Sequence, residues 1–162
     1  MSDTGPQPVH WRCLPFDALH ARTLYALLHL RTQVFVVEQR CVFQDMDGAD
    51  AHCMHLLGEA GDGELLAYAR LVPAGLKFPE ASIGRVVNDP VTRGTGLGHA
   101  LMGEAVRQLQ ALWGAQPIRI GAQAHLQGFY RQHGFVPASD LYDEDGIPHI
   151  EMLRSPHQQE TP

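Results

Sequence analysis

Six residues constrain this chain more than any others: Arg93–Gly98, R-G-T-G-L-G, set between a strand pattern closed by Asp89-Pro90 and the clearest amphipathic helix in the sequence. A strand that turns into a helix through such a loop points to α/β architecture. Glycine reaches left-handed backbone conformations at little cost, so the loop can curl back on itself. It then presents free backbone N–H groups at the positive end of a helix dipole, a place for an anion and for a diphosphate in particular. Two familiar phosphate loops do not fit. The Walker loop needs a lysine that is missing here, and the dinucleotide fingerprint needs glycine where His99 stands. That fingerprint also needs an acidic residue ending the next strand, and residues 117–123 have none.

The remaining pattern alternates between helix and strand. Leu97, Leu101, Ala105, Leu109 and Leu112 recur at steps of three and four, predicting a helix from about Gly98 to Trp113. Val9–Leu14 reads as a first strand. Asp17 then offers an N-cap to a helix carrying Leu24, Leu27, Leu28, Arg31, Val34 and Phe35. The run Val34–Val37 pulls against that helix, since β-branched residues favour strands. His52–Glu59 and Glu64–Val72 flank a G-D-G turn and read as a hairpin. Ala81–Asn88 and Pro117–Gln123 are further strands, and Ala124–His133 is a short helix stopped by Gly134. Phe135–Leu141 and His149–Leu153 read as two last strands around D-E-D-G.

At 162 residues the chain suits one domain, here 9–154, with 1–8 and 155–162 expected as flexible termini. No apolar run approaches the roughly 20 residues that span a membrane. The first residues carry neither the basic nor the apolar region of a secretory signal. Three cysteines without C-x-x-C spacing read as reduced thiols in a cytoplasmic protein. The 18 acidic and 12 basic residues leave a net charge of −6, and Lys77 is the only lysine. A chain this acidic, without a basic stripe, is a poor nucleic-acid ligand. Its charge favours a cationic or amine-bearing partner, and exposed strand edges suit a homodimer.

Arg93, Gly96 and Gly98 also fit [Q/R]-x-x-G-x-[G/A] in register. Around that loop stand L-R-T-Q-V-F-V-V-E-Q (Leu30–Gln39), I-G-R-V-V (Ile83–Val87), G-A-Q-A-H-L-Q-G-F-Y (Gly121–Tyr130) and E-D-G-I-P-H-I (Glu144–Ile150). On these blocks the chain resembles, over about 9–154, the GNAT superfamily of N-acetyltransferases in its ElaA-like branch. The resemblance implies a mixed, mostly antiparallel central sheet flanked by helices, in the order β-α-α-β-β-β-α-β-α-β-β.

It further implies acetyl-CoA as co-substrate, with no metal. Val86, Val87 and Asn88 would pair with the pantetheine arm, and a backbone N–H there would polarise the thioester carbonyl. Arg93, Gly94, Thr95, Gly96, Leu97, Gly98 and His99 would cradle the diphosphate. Gln123 stands where the family usually has an asparagine that contacts pantetheine. Tyr130 matches the tyrosine placed near the coenzyme sulfur. The implied activity is transfer of an acetyl group to an amine by direct attack in a ternary complex. A non-catalytic CoA-binding regulatory module and an acyltransferase using longer acyl donors are the alternatives.

The amine must reach the thioester unprotonated, so a base is needed. Glu38, His55 and His149 are the candidates, with Glu38 and His55 ahead. Arg31, Phe35, Asp47, Asp50 and Arg70 resemble in type and spacing a cluster of acyl-homoserine-lactone synthases. They read either as an ion-pair network anchoring the N-terminal helices or as an acceptor-side wall of carboxylates. His149 is a further acceptor-side candidate. Asp45, Asp47, Asp50, His52 and His55 do not make a calcium loop, because position six is Asp50 and position twelve is Leu56. The acidic run Asp140–Asp145 reads as the turn before the last strand, or as part of an acidic acceptor rim.

Overall fold

The strand Leu65–Val72 is buried along all but its first residue, and this requires cover on both faces of its sheet. In the computed structural model, which describes residues 8–156, that cover is one helix on each face. β1 (His10–Pro15), β2 (Met54–Glu59), β3 (Leu65–Val72) and β4 (Ser82–Asn88) form an antiparallel sheet in that order. Leu57, Tyr68 and Val87 point to one face and meet Leu27 and Leu30 of α1 (Ala21–Arg31). Leu56, Ala69 and Leu71 point to the other and meet Leu101, Met102, Ala105 and Leu109 of α2 (Leu97–Trp113).

The second sheet has the order β5 (Ile118–Gln123), β8 (Ile147–Arg154), β6 (Phe135–Pro137), with β7 (Tyr142–Glu144) also on β8. Every pair within it is antiparallel. Among the described residues the two sheets are joined by one parallel bridge, Ala81 to Ile118, where Arg119 N–H donates to Ala81 O at 2.9 Å. α3 (Gln127–Arg131) follows β5 through a short turn, and Gly134 ends that stretch at φ +90°. No helix among the described residues is long and apolar enough to cross a membrane.

Several local expectations change. Asp17 does not cap a long helix; it sits in a 3-10 turn, Phe16–Ala18, and α1 starts at Ala21 behind an uncapped His20. The valine run forms neither strand nor α-helix. Residues Thr32–Glu38 continue α1 as a π-helix, with N–H donation five residues back, as from Gln39 to Val34 O. The second helix of the expected order is this in-line extension. The expected strand 135–141 stops at Pro137, which has no N–H to give the ladder. The Asp145-Gly146 bend has φ of +53° and +81°, as a two-residue hairpin turn requires. The expected loose ends lie outside the described residues, apart from Pro8, Ser155 and Pro156.

Candidate active site

A bulge in β4 opens the site. Between the register pairs Tyr68–Val87 and Arg70–Gly84, β3 advances two residues and β4 three. The extra residue leaves Arg85 at φ +50°, a conformation costing a non-glycine residue about 1 kcal/mol. A bulge bends its strand. β4 and β5 therefore touch at the Ala81–Ile118 bridge and then part. The gap is a cleft of ≈ 690 Å³ between Val86, Val87 and Asn88 on one arm and Ile120, Gly121 and Gln123 on the other.

The glycine-rich loop stands beside one end of the cleft, and Arg93 lines it. Gly94 and Gly96 have φ of +80° and +86°, and Gly96 is the N-cap of α2 without any side-chain cap. The N–H groups of Gly94, Gly96, Gly98 and His99 meet no acceptor among the described residues. Asn88 Nδ2 donates to Thr92 Oγ1 at 2.8 Å, which ties the end of β4 to the loop. Four free amides on a helix dipole suit a diphosphate. A Cβ on Gly96 would meet nothing within 4 Å, so the glycine is needed for its backbone angle rather than for space. Gly96→Ala is expected to weaken coenzyme binding about tenfold, as 1–2 kcal/mol of left-handed strain reshapes the cradle. Titration calorimetry reads this directly.

Tyr130, Gln123, Glu38, Asp47 and His149 also line the cleft. Tyr130 is packed edge-on against Phe129 and Phe135, and its hydroxyl makes no hydrogen bond among the described residues. Burial pushes its pKa up to about 12. Gln123 Nε2 faces Gln39 Oε1 at 3.4 Å. The Glu38 carboxylate is engaged by Arg93 across the entrance. His99, exposed on the first turn of α2, pairs through Nδ1 with His133 Nε2 at 3.0 Å.

His55 is a different matter. It is wholly buried behind the β4 arm and does not line the cleft. Its Nε2–H donates to Asp50 O at 2.8 Å and its Nδ1 accepts from the Tyr68 hydroxyl at 2.6 Å. Burial lowers its pKa, against the opposing pull of the Asp50 carbonyl. Both nitrogens are spent on structure. His149 offers what His55 does not: Nδ1–H donates to Ile147 O at 2.7 Å, which leaves Nε2 facing Glu144 Oε2 at 3.1 Å.

The arginine–aspartate cluster is an ion-pair network, not a wall of free carboxylates. Arg31 bonds Asp45 Oδ2 at 2.9 Å and Asp50 Oδ1 at 2.8 Å. Arg70 grips Asp47 through both terminal nitrogens at 2.9 Å and also reaches Asp50. Burial would raise the Asp47 pKa, but hydrogen bonds from Arg70 and Lys77 hold it well below the usual carboxylate range. Arg31, Asp50 and Arg70 stand behind the cleft, whereas Phe35 and Asp47 line it.

Sequence reasoning missed Arg85, Phe43 and Lys77, whereas Glu144 and Asp145, which also line the cleft, belong to the run read as a turn or an acidic rim. Arg85 lies inside the block Ile83–Val87, but a positive φ at arginine has no residue signature. Among the described residues no three His, Cys, Asp or Glu side chains gather as a metal site.

Two sheets splayed over free loop amides define a fold class, that of the acyl-CoA N-acyltransferases. A crystal structure of such an enzyme from Pseudomonas aeruginosa superposes with a TM-score of 0.86 at 45% identity, covering 91% of this chain and 100% of that one. Escherichia coli ElaA superposes with a TM-score of 0.85 at 43% identity, over 91% of this chain and 100% of that chain. In sequence, ElaA of E. coli K12 is 44% identical over 148 residues, 90% of this chain and 96% of that protein. Residues 30–155 match the family model described as acetyltransferase (GNAT) domain. The chain belongs to the GNAT acetyltransferase family, in its ElaA-like branch, and is an acyl-CoA-dependent N-acyltransferase.

Proposed function

We propose that this enzyme transfers the acetyl group of acetyl-CoA to an amine by direct attack in a ternary complex. The observation that carries the reading is the continuity of one cleft, from the free amides beside Arg93 to the Tyr130 hydroxyl and His149. The main-chain N–H groups of Gly94, Gly96, Gly98 and His99 hold the diphosphate, and the cleft-facing edge of Val86–Asn88 holds the pantetheine arm. A backbone N–H of that edge polarises the thioester carbonyl. The amine nitrogen bonds to the carbonyl carbon, the C–S bond breaks, and sulfur leaves with the electron pair. Tyr130 donates a hydrogen bond to that sulfur.

His149 is the base this reading favours over Glu38 and His55. His149 Nδ1–H donates to Ile147 O, so the pair of Nε2 and Glu144 Oε2, 3.1 Å apart, takes up the proton of the amine, which then lies between them. A covalent route through cysteine finds no support. Burial pushes Cys13 and Cys53 up to about 11, far from the thiolate a nucleophile needs.

His149→Ala is expected to cost about tenfold at pH 7 and to erase the acidic limb of the pH–rate profile. The loss shrinks as rising pH deprotonates the amine unaided. A retained acidic limb assigns the base elsewhere. The reading as a whole is tested by calorimetry with CoA and acetyl-CoA, followed by thiol release against polyamines, amino acids, aminoglycosides and peptide N-termini. Absence of coenzyme binding at millimolar concentration overturns it. Binding without release from any amine makes the chain a CoA-binding module, and preference for longer acyl-CoAs replaces the donor.

A further inference from the structure

We infer that the acceptor amine also carries a carboxylate, which Arg85 and Lys77 receive, so that the acceptor class is amino acids rather than polyamines. The inference rests on the N-acyltransferase reading and names its second substrate. Its basis is the charge on the two walls at the end of the cleft beyond β4.

On the β4 side, three carboxylates (Asp45, Asp47 and Asp50) face four cations: Arg31, Arg70, Arg85 and Lys77. The surplus is not spread evenly. The Arg31 and Arg70 side chains are 0% and 3% exposed, whereas Arg85 and Lys77 are 23% and 39% exposed and line the cleft. Asp47 has nothing left for an incoming ammonium. Its oxygens already accept from Arg70 Nη1 and Nη2, Lys77 Nζ and Ala49 N.

Arg85 is built to present itself. Its Nε donates to Asp45 Oδ1 at 2.9 Å and its Nη2 to Asp45 O at 3.0 Å, while Nη1 meets no acceptor among the described residues. Phe43 lies against the guanidinium, 5.7 Å from ring centre to Cζ. A guanidinium fixed on one edge and open on the other matches a carboxylate better than a mobile ammonium does.

The opposite wall has the other sign. Glu144, which ends β7, and Asp145 of the following turn line the cleft, and neither side chain pairs with an Arg or Lys among the described residues. Cys41 Sγ donates to Asp145 O at 3.3 Å, so the loop following the π-helix reaches the turn and draws the two walls together. A zwitterion spans such a cleft with its carboxylate on Arg85 and Lys77 and its amine towards His149. A diamine would place its second cation against them.

The test is thiol release from acetyl-CoA with matched trios: a free amino acid, its amide and its decarboxylated amine, as in phenylalanine, phenylalaninamide and phenethylamine, across apolar, polar and basic side chains. Free acids are expected to lead by about 10- to 100-fold in kcat/KM, as for a charge-assisted pair. Arg85→Gln and Lys77→Met are each expected to raise the acceptor KM and to move the acid-to-amide ratio towards one, with the acetyl-CoA dissociation constant unchanged. That ratio is independent of the fraction folded, so a weakened bulge in Arg85→Gln does not confuse it. Amides or amines used as well as acids, or a ratio unmoved in both variants, overturn this inference and leave acyl transfer standing. Coenzyme binding with no thiol release from any trio overturns both.

Discussion

Tyr130→Phe is expected to lower turnover about 10²-fold while the acetyl-CoA dissociation constant moves less than about twofold. The two effects separate because ring and hydroxyl do different work. The ring is packed between Phe129 and Phe135, and phenylalanine keeps that packing. Tyr130 lines the cleft, and its hydroxyl has no protein partner among the described residues to compete for it. Burial pushes its pKa up to about 12, against roughly 8.5 for an ordinary thiol. Complete proton transfer to the departing sulfur is thus uphill by about 5 kcal/mol. Tyr130 therefore acts as a donor whose hydrogen bond shortens as negative charge grows on sulfur, a stabilisation made mainly in the transition state. Such a group titrates too high to shape the profile below about pH 10. Steady-state kinetics with calorimetry checks both halves: unchanged turnover removes Tyr130 from the site, and a matching loss of coenzyme affinity makes its role one of binding.

What was legible in the sequence is what short-range rules govern. Leu101, Ala105 and Leu109 announce α2 by their spacing, and Gly94 and Gly96 announce the cradle because no other residue holds φ near +80° so readily. The coenzyme end of the site is made of contiguous segments, so its residues could be named in order. The acceptor end is not. Arg85 enters the cleft through a one-residue slip in strand register, which leaves no compositional trace. Glu38 reaches Arg93 across 55 positions because Thr32–Glu38 winds as a π-helix, against the strand preference of its valines. In the sequence His55 stood ahead of His149, and burial reverses that order: His55 is fully enclosed with both nitrogens bonded, whereas His149 lines the cleft.

Arg31→Met is expected to destabilise the fold by about 3–5 kcal/mol, a large part of the 5–15 kcal/mol typical of a domain. Arg31 is wholly buried, and its fork serves two carboxylates at once, with Asp45 O at 3.2 Å as a further acceptor. Its loss leaves Asp45 with Arg85 and Asp50 with Arg70 as their remaining cationic partners. Arg31→Lys recovers only part of this, since one ammonium cannot span both partners. Arg12→Met is the contrast, because the Arg12–Glu59 pair has its arginine 42% exposed and is worth less than about 1 kcal/mol.

The same network sets the acid response. Burial favours protonated Asp50, but Arg31 and Arg70 outweigh it and hold the carboxyl below its usual range, as Arg70 and Lys77 do for Asp47. Groups with depressed folded values contribute stability above their unfolded pKa, roughly 3.9, and lose it as pH falls further. His55, lowered by burial, adds an earlier loss that begins below about pH 6.5, where the unfolded chain takes up a proton the folded one refuses. Urea unfolding at pH 7.5, 5.5 and 3.5 should show both steps in the parent protein, and a shallower fall between the last two in Arg31→Met. Equal slopes in the two proteins would mean that Arg70 alone holds the Asp50 carboxyl down.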